Sequence, residues 1–202
     1  GTQGAALARQ LAEQIGFECW DKEIVQKIAE HSTAPARLFE SLDEHRRSAI
    51  SEMISSVMGD GNPSSAEYLR EVNRIVRTLA EHGSAVVVGR GAQFIVYPDR
   101  ALRVRIIASV DHRAQGLMER KNISHSNAVA EIEQIDEDRY EFVQQSYYKD
   151  VHESTHYDLI LNSGTTRFDN MIEIILSAYQ ARFGAFPDKD LTTPPMAMPP
   201  VI

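Results

Sequence analysis

Apolar side chains recur at helical spacing along most of the chain. In the opening stretch GAALARQLAEQIG, Leu7, Leu11 and Ile15 lie four residues apart, which predicts an amphipathic helix that ends at Gly16. The same periodicity predicts further helices over residues 21–32, 36–59, 65–83, 110–122, 124–148 and 167–184.

The apolar pattern changes at three short stretches, SAVVVGRG (84–91), ALRVRIIAS (101–109) and YDLILNSG (157–164). Each contains a compact run of apolar residues and is predicted to be a strand. The three consecutive valines of SAVVVGRG, which end in glycine, predict a strand that is buried on both faces. Strands separated by helices predict an α/β protein with an open parallel sheet. Ligands bind such sheets at the carboxyl ends of the strands, so the chemistry is expected there.

Composition narrows the classes of function. The chain has 202 residues, 43% hydrophobic and 25% charged, which suits one domain with its own core. A formal net charge of −8 disfavours a nucleic-acid polymer as partner but allows a small anion held by a few arginines. Cys19 is the one cysteine, so we expect a reducing, cytoplasmic compartment. The sequence contains no apolar run of about 18 residues, so no membrane partner is expected.

Two glycines, Gly1 and Gly4, lead directly into the first predicted helix. A glycine turn before a helix exposes backbone N–H groups at the positive end of the helix dipole, where anions bind. An ordinary turn explains the pair equally well. The full phosphate-loop pattern G-x-x-x-x-G-K-[ST] is absent, because there is no lysine and Ala5 and Ala6 replace the hydroxyl that would hold magnesium.

A Gly-Arg-Gly sequence follows the first predicted strand. It is expected to place Arg90 at the carboxyl edge of the sheet, beside the opening loop. The planar guanidinium suits a phosphate or a carboxylate, since it donates two hydrogen bonds at once. The alternative is that Arg90 pairs with a nearby acid such as Asp21.

Asp136 and Arg139 lie three residues apart on one predicted helix. Such a pair is usually a solvated salt bridge that contributes little to stability. On a mobile lid over a nucleotide, the same arginine would reach the phosphoryl group in transfer and stabilise its charge.

Two further positions have both a structural and a functional interpretation. Asp21 follows an extended stretch and starts a predicted helix, so it is either a helix cap or a ligand for a sugar hydroxyl or a base amino group. Arg77 lies on the polar face of the helix predicted over 65–83, where it is either solvated or directed toward a nucleoside monophosphate.

The sequence HESTH (152–156) matches the zinc-peptidase pattern H-E-x-x-H, with His152 and His156 as ligands and Glu153 as base. That chemistry needs the five residues on one helix. Here they run directly into a predicted strand, and serine and threonine favour a turn. No later histidine could supply a third ligand, so we predict a loop and not a zinc hydrolase.

Several segments in this order resemble the cytidylate kinase-like family, a branch of the P-loop nucleoside-monophosphate kinases. They are Asp21-Lys22-Glu23, Gly89-Arg90-Gly91, Asp136-x-x-Arg139 and Tyr157-Asp158-Leu159, within a similarity from Gly1 to about Phe183. The resemblance implies a three-layer α/β/α P-loop kinase fold with a parallel five-stranded core over residues 1–186. It also implies a helical monophosphate-binding insertion at 33–80 and a short lid at about 120–150.

The activity implied by this resemblance is transfer of the γ-phosphoryl of ATP, with Mg²⁺, to CMP, dCMP or a similar acceptor. By position, residues at the start of the chain would bind ATP, namely Gly1, Thr2, Gln3, Gly4 and Ala5. Asp21, Arg77 and Arg90 would bind the acceptor. Arg90 and Arg139 would act in catalysis, and Asp136 would help to place the lid.

Three departures from the family pattern bear on the activity. The phosphate-loop lysine is missing, although this branch of the family tends to lack it. Val88 stands where an aspartate precedes the Gly-Arg pair, and Ile132 replaces a further lid arginine. The alternative function is therefore a non-catalytic, nucleotide-binding regulatory module with a degenerate phosphate loop.

Residues 187–202 form a proline-rich tail that is typical of a linker and ends in MPPVI. In the family an apolar strand precedes the first glycine, and MPPVI resembles that strand. The sequence leaves open a permuted order, the start of a second copy, or a tail that adds a strand to its own domain or to a neighbouring copy in a homodimer.

Overall fold

The structure, a computed structural model, describes residues 2–21 and 65–186. Side chains at 65–68, 71 and 82 are outside that description. The predicted helices over 21–32 and 36–59, most of the proposed insertion, Gly1 and the tail also lie outside the described residues.

The described elements alternate between helices and short strands. In chain order they are α1 (Gly4–Ile15), β1 (Glu18–Trp20), α2 (Ser65–His82), β2 (Ala85–Val87), α3 (Ala92–Ile95), β3 (Val104–Ile107), α4 (Val110–Lys121), α5 (His125–Tyr147), a 3₁₀ turn (Ser154–His156), β4 (Leu159–Asn162) and α6 (Phe168–Phe183). The helices predicted over 4–16, 65–83, 110–122, 124–148 and 167–184, and all three predicted strands, are confirmed.

The described strands form two parallel pairs. β1 pairs with β2 in the register Cys19 to Val86, and β3 pairs with β4 in the register Arg105 to Ile160. The expected parallel pairing is therefore present. Within the described residues, no hydrogen-bond ladder joins β2 to β3, so the four described strands form two pairs, and the five-stranded core stays a prediction.

A hydrophobic core beneath α1 joins the two strand pairs. Leu7 and Leu11 of α1 pack with a buried set from β4 and α6 that comprises Leu161, Met171, Ile172 and Ile175. Val86 of β2 and Val104 of β3 pack against the same cluster. Each fully buried Leu or Ile side chain stabilises the fold by roughly 1.5–3 kcal/mol, so this one core holds both pairs.

α4 and α5 form a helical hairpin with a small core of its own. Ser109 and Ser124 cap the two helices through their side-chain oxygens, and Asn122 ends α4 in the left-handed conformation. Ala128 and Ile132 are buried against α4. Ile132, which stands where the family pattern has an arginine, is thus a packing residue, 3% exposed.

α2 buries the apolar face that its sequence predicts and packs against β2 and α3. Its buried residues are Val72, Ile75, Val76 and Leu79. The SAVVVGRG stretch forms β2, which was predicted to be buried on both faces. That prediction is wrong for the described residues, because Ala85, Val86 and Val87 are each only partly buried. Among the described helices, none has both the length and the apolar composition required to cross a membrane.

Candidate functional site

The Gly89-Arg90-Gly91 turn at the end of β2 has an unusual backbone. All three residues have positive φ, 81°, 53° and 69° in chain order. Glycine adopts this conformation freely, whereas a residue with a side chain adopts it at a cost of roughly 1–2 kcal/mol. The turn continues into α3, since the N–H of Ala92 donates to the carbonyl of Gly89 at 3.1 Å. Arg90 is therefore held in a costly conformation at the carboxyl end of a strand, where strain is often functional.

The carboxyl-terminal part of α5 packs on this turn. The Tyr147 hydroxyl donates a hydrogen bond to the backbone carbonyl of Arg90 at 2.7 Å. The Arg90 guanidinium carbon lies 5.6 Å from the centre of the Phe142 ring, within cation–π distance. The proposed acceptor-binding arginine and the proposed lid helix are thus in direct contact.

Asp136 on α5 lies between two arginines. Its carboxylate is 2.9 Å from Arg139 on the same helix and 2.7 Å from Arg113 on α4. Burial alone would raise the pKa of Asp136, but the hydrogen bond and charge of Arg113, reinforced by Arg139, hold that pKa below its usual value. The carboxylate therefore stays ionised and restrains Arg139, which is the more exposed partner.

A second contact ties α5 to the loop before β4. Tyr140 stacks on the His152 ring with centroids 6.0 Å apart. The Arg105 guanidinium is 2.9 Å from the Nδ1 atom of His152 and donates to the Val151 carbonyl at 2.8 Å. Tyr157 lies beneath Arg105, 5.3 Å from ring centre to guanidinium carbon. Val104 and Ile106 pack against the main core, so Arg105, which lies between them in β3, and this cluster are on the opposite face of the strand.

The charge of Arg139 also reaches this cluster. Burial raises the pKa of the Tyr157 phenol, and the charges of Arg105 and Arg139 and a hydrogen bond from Gln93 partly oppose that rise. The Tyr157 hydroxyl donates to the Val151 carbonyl at 2.8 Å. Two cationic side chains, from β3 and from α5, therefore act on one half-buried tyrosine.

The HESTH segment is a loop with a short 3₁₀ turn at Ser154–His156, as predicted. Its histidines contact different partners, since His152 stacks on Tyr140 and His156 meets Phe94 edge to face at 5.0 Å. The helix that H-E-x-x-H zinc chemistry requires is not formed by these residues.

The first turn of α1 has no side-chain cap among the described residues. Gln3 precedes the helix in the left-handed conformation, φ 59°, and its side chain does not cap the first-turn N–H groups. Thr2 lies beside Gly4, and a Cβ atom built on Gly4 would lie 4.0 Å from the Cβ of Ile106 on β3. The first turn, which includes Ala5, therefore lies next to β3. Gly1 is outside the described residues.

Asp21 follows the strand next to the one that leads into the Arg90 turn, whereas Arg77 lies on the exposed face of α2. Trp20, the last residue of β1, accepts a hydrogen bond from the N–H of Val88 at 2.7 Å. Asp21 and the Arg90 turn therefore follow neighbouring strands. The Asp21 carboxylate is 3.2 Å from Arg9 on α1. Arg77 is on the exposed face of α2, beside Arg74. The described contacts bring Arg90 together with α5 but do not bring Arg77 to that group.

Three contributing residues escaped the sequence analysis, namely Arg113, Phe142 and Tyr147. The signal for Arg113 is present in the sequence, because only residues 122–124 separate α4 from α5 and a hairpin this tight sets position 113 opposite position 136. No local pattern points to Phe142 or Tyr147, whose contacts depend on how α5 packs against the turn that follows β2.

Comparison with known proteins gives a consistent result. The sequence model of the cytidylate kinase-like family matches residues 1–165. A cytidylate kinase from Methanopyrus kandleri is 25% identical over 187 residues, 88% of each chain. The fold is similar to the crystal structure of an uncharacterized protein from Eubacterium ventriosum, with a TM-score of 0.67, 18% identity, and 90% of this chain and 94% of that chain covered.

Proposed function

Because the chain belongs to the cytidylate kinase-like family, we propose that it is a nucleoside-monophosphate kinase that transfers the γ-phosphoryl of ATP to CMP, dCMP or a similar small acceptor. The acceptor class rests on the family and on the printed name of the Methanopyrus relative. The proposal includes the monophosphate-binding insertion at 33–80 and the lid at about 120–150.

One observation carries the proposal: the contact between the Arg90 turn and the helix that bears Asp136 and Arg139. A phosphoryl-transfer site needs cations on both sides of the phosphoryl group, and it needs them fixed before the reaction. Tyr147 is hydrogen-bonded to the Arg90 carbonyl, and Arg139 lies two helical turns earlier on the same helix. This contact supports assigning the two arginines to one site.

Each group has a distinct task in the proposed reaction. The first-turn N–H groups of α1 bind phosphate oxygens of ATP through the helix dipole. Arg90 binds the acceptor phosphate with its planar fork, and Asp21 binds a sugar hydroxyl or base amino group of the acceptor. Arg139 neutralises charge on the phosphoryl group in transfer, while Asp136 orients it. Arg77 is an additional ligand of the acceptor, as the family resemblance implies.

Magnesium enters this proposal as part of the MgATP substrate. Within the described residues, no three His, Cys, Asp or Glu side chains form a cluster that could hold a metal, and Ala5 offers no hydroxyl. Magnesium retains several waters and binds readily through substrate phosphates, so a dedicated protein cage is not required. The metal would supply charge neutralisation at the phosphates, and the arginines named above would supply the rest.

The start of α1 favours a second candidate, a nucleotide-binding regulatory module without transfer activity. Ala5 and Ala6 are exposed in the first turn and present only methyl groups where an active phosphate loop presents a lysine and a hydroxyl. Nucleotide could then bind to the backbone N–H groups without being turned over.

ADP release tests the proposal. The purified protein is given MgATP alone and MgATP with each of CMP, dCMP, UMP, AMP and GMP. We expect one acceptor to raise turnover well above the ATP-only rate. Calorimetry with the same nucleotides separates the alternatives, because binding without turnover identifies the regulatory module. Absence of both turnover and binding in a folded sample rejects both functions.

A further inference from the structure

We propose that Tyr147 and Phe142 are positioning residues that couple the conformation of the Arg90 turn to the position of α5, so that acceptor binding and placement of Arg139 are one event. This inference rests on the proposed function for the identity of the ligand, but the coupling itself is defined by contacts within the chain.

The first contact is to backbone. Tyr147 donates to the carbonyl of Arg90, not to its side chain, at 2.7 Å. The direction of that carbonyl depends on the positive φ values of the turn. A change in the Gly89-Arg90-Gly91 backbone therefore breaks the hydrogen bond from α5, and loss of the hydrogen bond removes a restraint on a strained turn.

The second contact is steric. A Cβ atom added to Gly91 would lie 2.2 Å from Cε2 of Tyr147, far inside van der Waals contact. The ring also meets Phe94 of α3, with centroids 5.6 Å apart, and Phe142 at 6.1 Å. The Tyr147 ring therefore fills the space above the turn, and α5 fits closely only when the turn has this shape.

The third contact is to the ligand-binding group itself. Phe142 supports the Arg90 guanidinium from one side, 5.6 Å from its ring centre. A cation held over an aromatic face loses fewer conformations when it binds an anion, so binding costs less entropy. Phe142 lies three residues after Arg139 and five before Tyr147, so one stretch of helix carries all three functions.

A continuous helix transmits this contact to the lid arginine. Arg139 and Tyr147 are separated by eight residues, about 12 Å along the helix axis. Arg139 is held at that position by Asp136, which Arg113 in turn holds. By thermodynamic reciprocity, an acceptor that fixes the Arg90 turn stabilises the docked position of α5, and a docked α5 raises acceptor affinity.

Hydrogen–deuterium exchange tests the coupling in the whole protein, with Tyr147→Phe as the variant and Tyr148→Phe as the matched control. Both lose one hydroxyl from adjacent residues, but Tyr148 is 86% exposed. Without ligand, we expect Tyr147→Phe to raise exchange roughly threefold to tenfold in both segments 89–95 and 139–148, the range that corresponds to one hydrogen bond. Tyr148→Phe is expected to leave both segments unchanged. A rise in only one segment, or an equal rise in the control, overturns the coupling.

A second measurement separates positioning from a purely structural role. With saturating CMP, segment 139–148 of the wild type is expected to gain protection, and Tyr147→Phe is expected to lose most of that gain while still binding CMP. A ligand-induced gain of equal size in the two proteins overturns the proposal. If the wild type binds none of the five monophosphates, the proposed function fails, and the ligand-free comparison still decides the coupling.

Discussion

Asp158 accepts three hydrogen bonds from Arg103. The donors are the backbone N–H at 2.8 Å, Nε at 3.0 Å and an Nη atom at 2.8 Å. Arg182 of α6 adds an ion pair to the same carboxylate at 2.8 Å. These contacts join the start of β3, the start of β4 and the last turn of α6. Asp158 belongs to the Tyr-Asp-Leu sequence that marks the family resemblance, and its contacts are structural.

Replacement of Asp158 by Asn is expected to reduce the free energy of unfolding by about 2 kcal/mol, since it loses hydrogen bonds between charged groups. The Arg103 and Asp158 side chains are 16% and 14% exposed, so water only partly replaces these bonds. The measurement is urea denaturation at pH 7. Asp99→Asn is the control, because Asp99 is exposed in the turn before β3 and its replacement should change stability little.

The ion pair between Arg103 and Asp158 predicts that the free energy of unfolding depends on pH. The hydrogen bond from Arg103 is the main reason that the pKa of Asp158 lies far below its usual range, although burial opposes it. An aspartate whose pKa is lower in the folded protein than its unfolded value of about 3.9 stabilises the fold at pH values above 3.9. This stabilisation is lost as the pH falls from about 3.9 toward the pKa of the folded protein. The stability difference between the wild type and Asp158→Asn should therefore shrink as the pH drops below about 4. A difference that stays constant down to pH 2 contradicts this assignment.

Replacement by alanine should change the free energy of unfolding to different extents at three glycines. Gly116 lies inside α4 with nothing near its added Cβ, so Gly116→Ala should stabilise by about 0.5–1 kcal/mol. Gly83 also has space but a φ of 70°, so Gly83→Ala should cost about 1 kcal/mol. Gly91 combines a φ of 69° with the Tyr147 clash, so Gly91→Ala should cost more than about 2 kcal/mol. Thermal unfolding of the three variants ranks them directly.

Arg113 and Arg139 bind the same carboxylate but should matter in different assays. The Arg113 side chain is 13% exposed, so Arg113→Ala should lower the free energy of unfolding by about 1.5–3 kcal/mol. The Arg139 side chain is 55% exposed, so Arg139→Ala should cost less than about 0.5 kcal/mol of stability while abolishing most phosphoryl transfer. Urea denaturation and ADP release on both variants check this division. Full turnover in a folded Arg139→Ala protein removes that residue from the proposed mechanism.

Arg90→Ala is expected to weaken monophosphate binding by about 2 kcal/mol or more, roughly thirtyfold, because one partner of a charged pair is removed. Arg90→Lys should recover only part of the affinity, since lysine keeps the charge but not the planar fork. Calorimetry with the preferred acceptor measures both. Arg100→Ala removes an exposed arginine away from the turn and is the matched control. An affinity unchanged in Arg90→Ala contradicts the assignment of the acceptor site.

Local periodicity located five of the described helices and three of the described strands, but not β1 (Glu18–Trp20) or the one-turn helix α3 (Ala92–Ile95). The spacing of Leu7, Leu11 and Ile15 reflects a physical need to bury one helical face, and α1 indeed packs Leu7 and Leu11 in the core. The resemblance to the cytidylate kinase-like family was also readable from short motifs. The same motifs did not reveal that Ile132, at the position of a lid arginine, is a buried contact between α4 and α5.

The sequence by itself determined most of the described helices and strands, the parallel pairing of strands, and the family, because these depend on local spacing and on motifs that occur in a fixed order. Only the tertiary structure decided that Tyr147 binds the Arg90 carbonyl, that Arg113 holds Asp136, and that Asp158 joins β3 to α6. These contacts link residues that are 23 to 57 positions apart along the chain. Their partners are chosen by how whole elements pack against one another, and no local periodicity records that geometry.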